Sequence, residues 1–144
     1  MKIFIADDSA VVRERLIEML SELPEIEIIG QAQDGLEATN LIKKLNPDVV
    51  ILDIRMPREN GIDVLQNIKR DKQAPIVIMP TNYSYPQYRK KCMEAGADFF
   101  FEKSTEFEKV MEVVKKVKQR IFQWRRNVSW NRVTITFGNR LYLT

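Results

Sequence analysis

Histidine is absent from this 144-residue chain, and cysteine occurs once, at Cys92. Without histidine there is no Ser-His-Asp triad, no His-ligated zinc and no phosphohistidine of the chain's own. A single thiol cannot build an internal disulfide framework, which fits a reducing, cytoplasmic setting. Long apolar runs are missing as well: none nears the roughly 20 residues that cross a bilayer. The N-terminus reaches Asp7 and Asp8 too early for a signal peptide. Any metal site must therefore use oxygen ligands, which selects magnesium, calcium or manganese.

What is present suits one domain with a single core. Hydrophobic residues make up 44% and charged residues 30% of the chain, both ordinary for a water-exposed globular fold. The net charge of +3 is unevenly placed. Residues 123–144 hold Arg125, Arg126, Arg132 and Arg140 with no acid, while 1–122 hold 19 basic and 20 acidic residues. The division expected is thus a near-neutral domain over 1–122 and a basic tail over 123–144.

Within 1–122, short apolar runs alternate with longer amphipathic stretches. Ile3–Ala6, Ile26–Gly30, Val49–Leu52, Ile76–Met79 and Phe99–Phe101 read as strands. The continuous β-branched run at Val49 is typical of a strand covered on both faces. Between them, Val12, Leu16, Met19 and Leu23 repeat at helical spacing, with Ser9 as N-cap. Leu36–Leu45 follows Asp34, and Ile62, Leu65 and Ile68 mark a third helix. Pro86 opens a fourth, closed by Gly96. Thr105 and Glu108 offer a capping box for a fifth, whose stripe runs from Phe107 to Trp124. Five strands alternating with five helices predict an α/β fold, a doubly wound parallel sheet with helices on both faces. In the tail, Val133, Ile135 and Phe137 alternate with threonines before Gly138-Asn139, a hairpin pattern. A disordered segment or a cloning artefact would read the same way.

Chemistry gathers at one rim. Asp7 and Asp8 follow the first strand and Asp53 the third, and in such sheets ligands collect outside the carboxyl ends of the strands. Three converging carboxylates repel one another, and a divalent cation relieves that conflict. Taken singly, each residue has a plain structural reading: Asp8 as a helix-start acid, Asp53 as a turn residue, Thr81 as the start of a turn, Lys103 as a solvated lysine. Taken jointly, all fall at the carboxyl ends of strands one, three, four and five.

In these residues the chain resembles the receiver domain of two-component response regulators, from Met1 to about Arg120. Asp7-Asp8-Ser9 resembles that family's metal-binding pair. Asp53-Ile54-Arg55-Met56-Pro57, with Gly61 beyond, resembles the stretch that begins with its phosphorylated aspartate. Thr81 resembles its phosphate-sensing hydroxyl, and Lys103, after Gly96-Ala97-Asp98-Phe99-Phe100, its phosphate-binding lysine. The resemblance implies the flavodoxin-like strand order 2-1-3-4-5. It implies phosphoryl transfer to Asp53 from a sensor histidine kinase or phosphotransfer protein. Mg2+, with Mn2+ as a substitute, would be held by Asp7, Asp8, Asp53 and the Arg55 backbone carbonyl. Output would be a switch through Thr81 and Phe100 that reshapes the surface of the fourth helix, fifth strand and fifth helix for a downstream protein. Such a chain is a phosphoprotein that assists its own phosphorylation and dephosphorylation, not an enzyme with a separate substrate.

Three positions depart from the family's pattern. Asn82 stands where a small residue is common, and its bulk would narrow access to Asp53. Ser104 follows Lys103 where proline in a cis peptide is frequent; a non-proline cis bond costs about 3–4 kcal/mol, so a trans bond is expected. Pro80 lacks an N–H within the fourth strand and loses a ladder bond unless it lies at a strand end. Competing readings are a phosphorylation-independent interaction module and an aspartate-nucleophile hydrolase, which would want an acid where Arg55 stands. A flavin protein would find the acidic first loop repulsive. DNA binding requires a further C-terminal domain, on the order of 60 residues. The apolar tail also makes a homodimer an expectation.

Overall fold

Each apolar run forms a strand because helices cover it on both sides. The computed structural model describes residues 1–82, 85–102, 107–127, 135–137 and 140–142. Strands β1 (Lys2–Ala6), β2 (Glu27–Ala32), β3 (Val49–Leu52), β4 (Ile76–Thr81) and β5 (Phe99–Glu102) alternate with helices α1 (Ala10–Ser21), α2 (Gly35–Leu45), α3 (Gly61–Lys69), α4 (Pro86–Glu94) and α5 (Phe107–Asn127). All four ladders are parallel and the order is β2-β1-β3-β4-β5, as expected for a doubly wound sheet.

Successive strand residues serve two cores. Phe4, Val50, Val77, Met79 and Phe100 pack with side chains of α2, α3 and α4, among them Ile42, Leu65 and Cys92. Ile3, Ile5, Ile51, Ile78 and Phe101 face the other way, onto Leu16 and Leu20 of α1 and Val110, Val114 and Val117 of α5. The period of two is what lets one short strand feed both layers. Burial pushes the Cys92 thiol up to about 11, so it packs as a small apolar group.

The helix boundaries follow local chemistry. Ser9 accepts from the Val12 N–H at 3.4 Å, and Asp34 from the Glu37 N–H at 2.8 Å. Asn60 and Asp63 form a reciprocal capping box at α3. Asn46, at φ 51°, closes α2, and Gly96, at φ 104°, follows α4. The expected box at Thr105 lies outside the described residues.

Several details differ from the pattern reading. Strand β2 runs to Ala32 rather than Gly30, because its pairing with β1 continues through Gln31 and Ala32 after a bulge. A polar edge strand gives little periodic signal there. Helix α5 continues to Asn127, past the change of composition at 123. Pro80 lies inside β4, but its nitrogen points toward β3. The donation from Ile76 to Asp48 sets even positions on that side. The β3–β4 ladder ends at Ile51–Ile78, whereas β4 and β5 stay paired through Thr81–Glu102. In the tail, β6 (Ile135–Phe137) and β7 (Arg140–Tyr142) pair antiparallel.

A largely buried ion pair ties the end of α3 to the residue before β5. The Lys69 ammonium lies 2.9 Å from an Asp98 carboxylate oxygen that also accepts from the Val77 N–H at 2.8 Å. Their side chains are 4% and 12% exposed. Removing one partner strands the other charge, so Asp98→Ala should cost about 3–5 kcal/mol. Urea unfolding would show the midpoint falling with an unchanged slope.

Candidate functional site

The site forms where β1 and β3 end side by side, at the point where strand order reverses. The Asp53 N–H donates to the Ala6 carbonyl at 3.0 Å, and the Asp7 N–H donates to the Ala32 carbonyl at 3.1 Å. Sheet hydrogen bonding thus continues into the acidic residues themselves and fixes where their side chains depart. Asp7 Oδ1 accepts from the Ser9 N–H at 2.9 Å, and Asp53 Oδ1 accepts from the Ile54 N–H at 2.9 Å. Arg13 of α1 donates through Nη1 to the Asp7 carbonyl at 2.6 Å.

Carboxylate oxygens of Asp7, Asp8 and Asp53 all lie within 4.8 Å of one another. Asp7 is 3% and Asp53 8% exposed, while Asp8 opens to solvent. Like charges this close, two of them largely dehydrated, repel. A hard divalent cation with room for water on its outer side fits this donor set. The oxygens converge, none is a soft ligand, and Asp8 keeps the cluster open.

Two glycines make the arrangement possible. At Gly61 a Cβ would lie 1.9 Å from the Asp53 carbonyl oxygen. Its N–H donates to the Ile54 carbonyl at 2.6 Å, so α3 begins directly against the end of β3. At Gly35 a Cβ would lie 1.8 Å from the Glu59 carbonyl oxygen, where the loop after β3 rests on the start of α2. The Gly35 N–H donates to the Pro57 carbonyl at 3.1 Å across the same contact.

The structure brings three of the expected site residues into one cluster and sets others beside it. Thr81 ends β4, next to β3, and is fully buried. Arg55 stands two residues after Asp53 with an exposed side chain. Lys103 lies outside the described residues, as does Ser104, so the lysine contact and the peptide bond between them do too. Glu102, just before Lys103, pairs with Thr81 across β4 and β5. Phe100 is 6% exposed and packs into the core beside α4, where the Arg89 guanidinium sits 5.7 Å from its ring centroid. Asn82 is exposed at the rim.

Sequence reasoning missed the contribution of Arg13. It lies six residues after the carbonyl it binds, in a helix whose pattern shows only amphipathicity. It also missed what Gly35 does, since a glycine beside a cap is ambiguous until the crossing loop is seen.

The sequence model of the response regulator receiver domain matches residues 3–115. The chain belongs to that family. Among its relatives, the protein-glutamate methylesterase/protein-glutamine glutaminase of Hydrogenovibrio crunogenus is 42% identical over 102 residues, covering 71% of this chain and 24% of the relative. The similarly named protein of Pyrococcus horikoshii is 32% identical over 142 residues, covering 94% of this chain and 39% of the relative. The chain therefore spans about a quarter to two fifths of these relatives. Among solved structures, the response regulator domain of Thermotoga maritima CheB is 32% identical with a TM-score of 0.73, covering 83% of this chain and 94% of that one. A chain of the CheX-CheY-BeF3-Mg complex from Borrelia burgdorferi is 35% identical with a TM-score of 0.74, covering 81% and 88%. The chain is thus a response regulator receiver domain, and the strand order predicted from the resemblance is the one observed.

The glycine contact behind Asp53 carries a prediction. Gly61→Ala must push the new methyl away from the Asp53 backbone, displacing the β3–α3 junction. Thermal unfolding should shift down. The cluster's Mg2+ affinity, followed by calorimetric titration of the folded variant, should also weaken. Wild-type values for both would contradict the contact's importance.

Proposed function

We propose that this receiver is a phospho-accepting switch and that Asp53 takes the phosphoryl group. The observation that carries the reading is the convergence of Asp7, Asp8 and Asp53 at the carboxyl rim, with the Thr81 strand alongside. An Asp53 oxygen attacks phosphorus in a phosphohistidine of a sensor kinase or phosphotransfer protein, or in a small acyl phosphate. A P–O bond forms to Asp53 as the donor's P–N or P–O bond breaks, leaving an aspartyl phosphate. The Ile54 N–H holds the acceptor carboxylate in orientation during the attack.

Mg2+, or Mn2+ in its place, would be held by Asp8, Asp53, the Arg55 backbone carbonyl and Asp7 through water, and supplies positive charge for the transferring oxygens. The Lys103 ammonium pairs with another phosphoryl oxygen, and the Thr81 hydroxyl donates to a third. Attack of water on the aspartyl phosphate resets the switch, so the chain turns over no separate substrate. The esterase and glutaminase names of the relatives refer to proteins much longer than this chain.

Output in this reading is a population shift. Thr81 moves toward the phosphoryl group, Phe100 repacks, and the surface of α4, β5 and α5 changes its affinity for a downstream protein. Phe100 has no hydroxyl, so ring packing alone reports the change. No helix among the described residues is long and apolar enough to cross a membrane, which is consistent with a cytoplasmic kinase partner. A homodimer and a DNA-binding role through a further C-terminal domain belong to the same proposal as alternative outputs.

Intact-mass measurement after incubation with acetyl phosphate tests the reading. With Mg2+ the chain should gain the mass of one phosphoryl group, mapped to Asp53. Chelation should suppress the gain, and Asp53→Ala should lack it. A chain that gains no mass from acetyl phosphate or from phosphorylated kinase would instead be an interaction module that works by binding alone.

A further inference from the structure

The short connector between β1 and α1 carries two of the three clustered acids. β1 ends at Ala6 and α1 begins at Ala10, so Asp7, Asp8 and Ser9 belong to neither element. Asp7 is nevertheless tied down. Its N–H donates to the Ala32 carbonyl, and its Oδ1 accepts from the Ser9 N–H. Asp8 is exposed, and its placement follows from the orientation of the planar peptide that joins it to Asp7.

Arg13 holds the oxygen of that peptide. Side chains of an α-helix lean toward its N-terminus, so a residue one turn into α1 can fold back over the connector. Its Nη1 lies 2.6 Å from the Asp7 carbonyl oxygen, and its Nε lies 3.0 Å from Gln31 Oε1 on β2. Gln31 stands opposite Ile5, one position before the Ala6–Ala32 pair that ends the β1–β2 ladder. The half-buried guanidinium therefore spans from β2 to the connector, with two donors in a fixed planar geometry.

We infer that Arg13 is a positioning residue for the divalent cation: by fixing the Asp7–Asp8 peptide against β2, it presents Asp8 to the ion. The inference deepens the proposed function and rests on its metal site. Two simpler roles predict differently. As a tie between α1 and the sheet alone, Arg13 would add stability and leave ion binding untouched. As a mere counter-charge beside three carboxylates, it would steady the cluster without metal and repel a cation. Its removal would then strengthen Mg2+ binding. Positioning gives the opposite sign, as is common for the outer partners of metal ligands. Lysine separates charge from geometry, because one ammonium cannot reproduce the two-donor fork.

Calorimetric titration of Mg2+ into the full chain tests the inference, with thermal melts in chelator reporting folding. Arg13→Gln and Arg13→Lys should each raise the dissociation constant about tenfold. Gln31→Leu removes only the β2 end of the span and should raise it by a smaller factor. It also keeps the test open if an Arg13 variant fails to fold. The Mg2+ concentration for half-maximal phosphorylation by acetyl phosphate should rise in step. Variants that melt lower yet bind Mg2+ as wild type does would make Arg13 a structural tie and overturn the inference. Tighter binding by Arg13→Gln, or wild-type binding by Arg13→Lys, would overturn it too. A wild-type chain that binds Mg2+ but gains no phosphoryl group overturns the acceptor role of Asp53 alone, and the positioning role stands on the titrations. A wild-type chain without Mg2+ affinity overturns both.

Discussion

Repulsion among three carboxylates held within 4.8 Å governs how this domain is built. Two of them are largely buried, so water screens them poorly, and the backbone must hold them together against their own charge. That holding force comes from the sheet. Asp7 and Asp53 are tied by their own N–H groups to carbonyls of neighbouring strands. A cluster on mobile loops would relax apart; at strand ends it cannot. A divalent cation on the oxygens would recover that cost, and in the proposed function the same geometry makes Asp53 the phosphoryl acceptor.

The surroundings serve that constraint. Gly61 lets α3 start against the Asp53 carbonyl, and Gly35 lets the loop after β3 settle on α2. The Lys69–Asp98 pair fastens the far end of α3 to the segment before β5, and Arg89 lies over Phe100 on the side where output is proposed. From the acidic rim to the β5 edge the strands lie side by side: Asp53 follows β3, Thr81 ends β4 next to it, and Phe100 lies on β5 beyond. Packed cores of this kind shift between discrete arrangements and do not deform continuously.

Much of this was legible in the residues. The apolar run at Val49–Leu52 and the stripe through Val110, Val114 and Val117 announced a two-faced sheet, and the acids at 7, 8 and 53 announced the rim at which they cluster. The limits are physical too. Glu27–Ala32 is a polar edge strand, where half-exposure erases periodicity, so its end was misplaced by two residues. The role of Arg13 depends on a helix crossing that no local pattern encodes. The start of α2 at Gly35 depends on a loop arriving from 24 residues away. Composition turned basic at 123 while the helix continued to 127, because arginine is a good helix former and a change of charge does not end a helix.

The central claim predicts opposite signs for one substitution under two conditions. Thermal unfolding of Asp8→Asn should be compared with wild type, first in chelator and then at saturating Mg2+. Without metal, removing one negative charge should raise the midpoint above wild type. With metal, wild type should gain stability by mass action and the variant should gain little. A variant that is less stable than wild type in chelator, or that gains as much from Mg2+, would contradict the account.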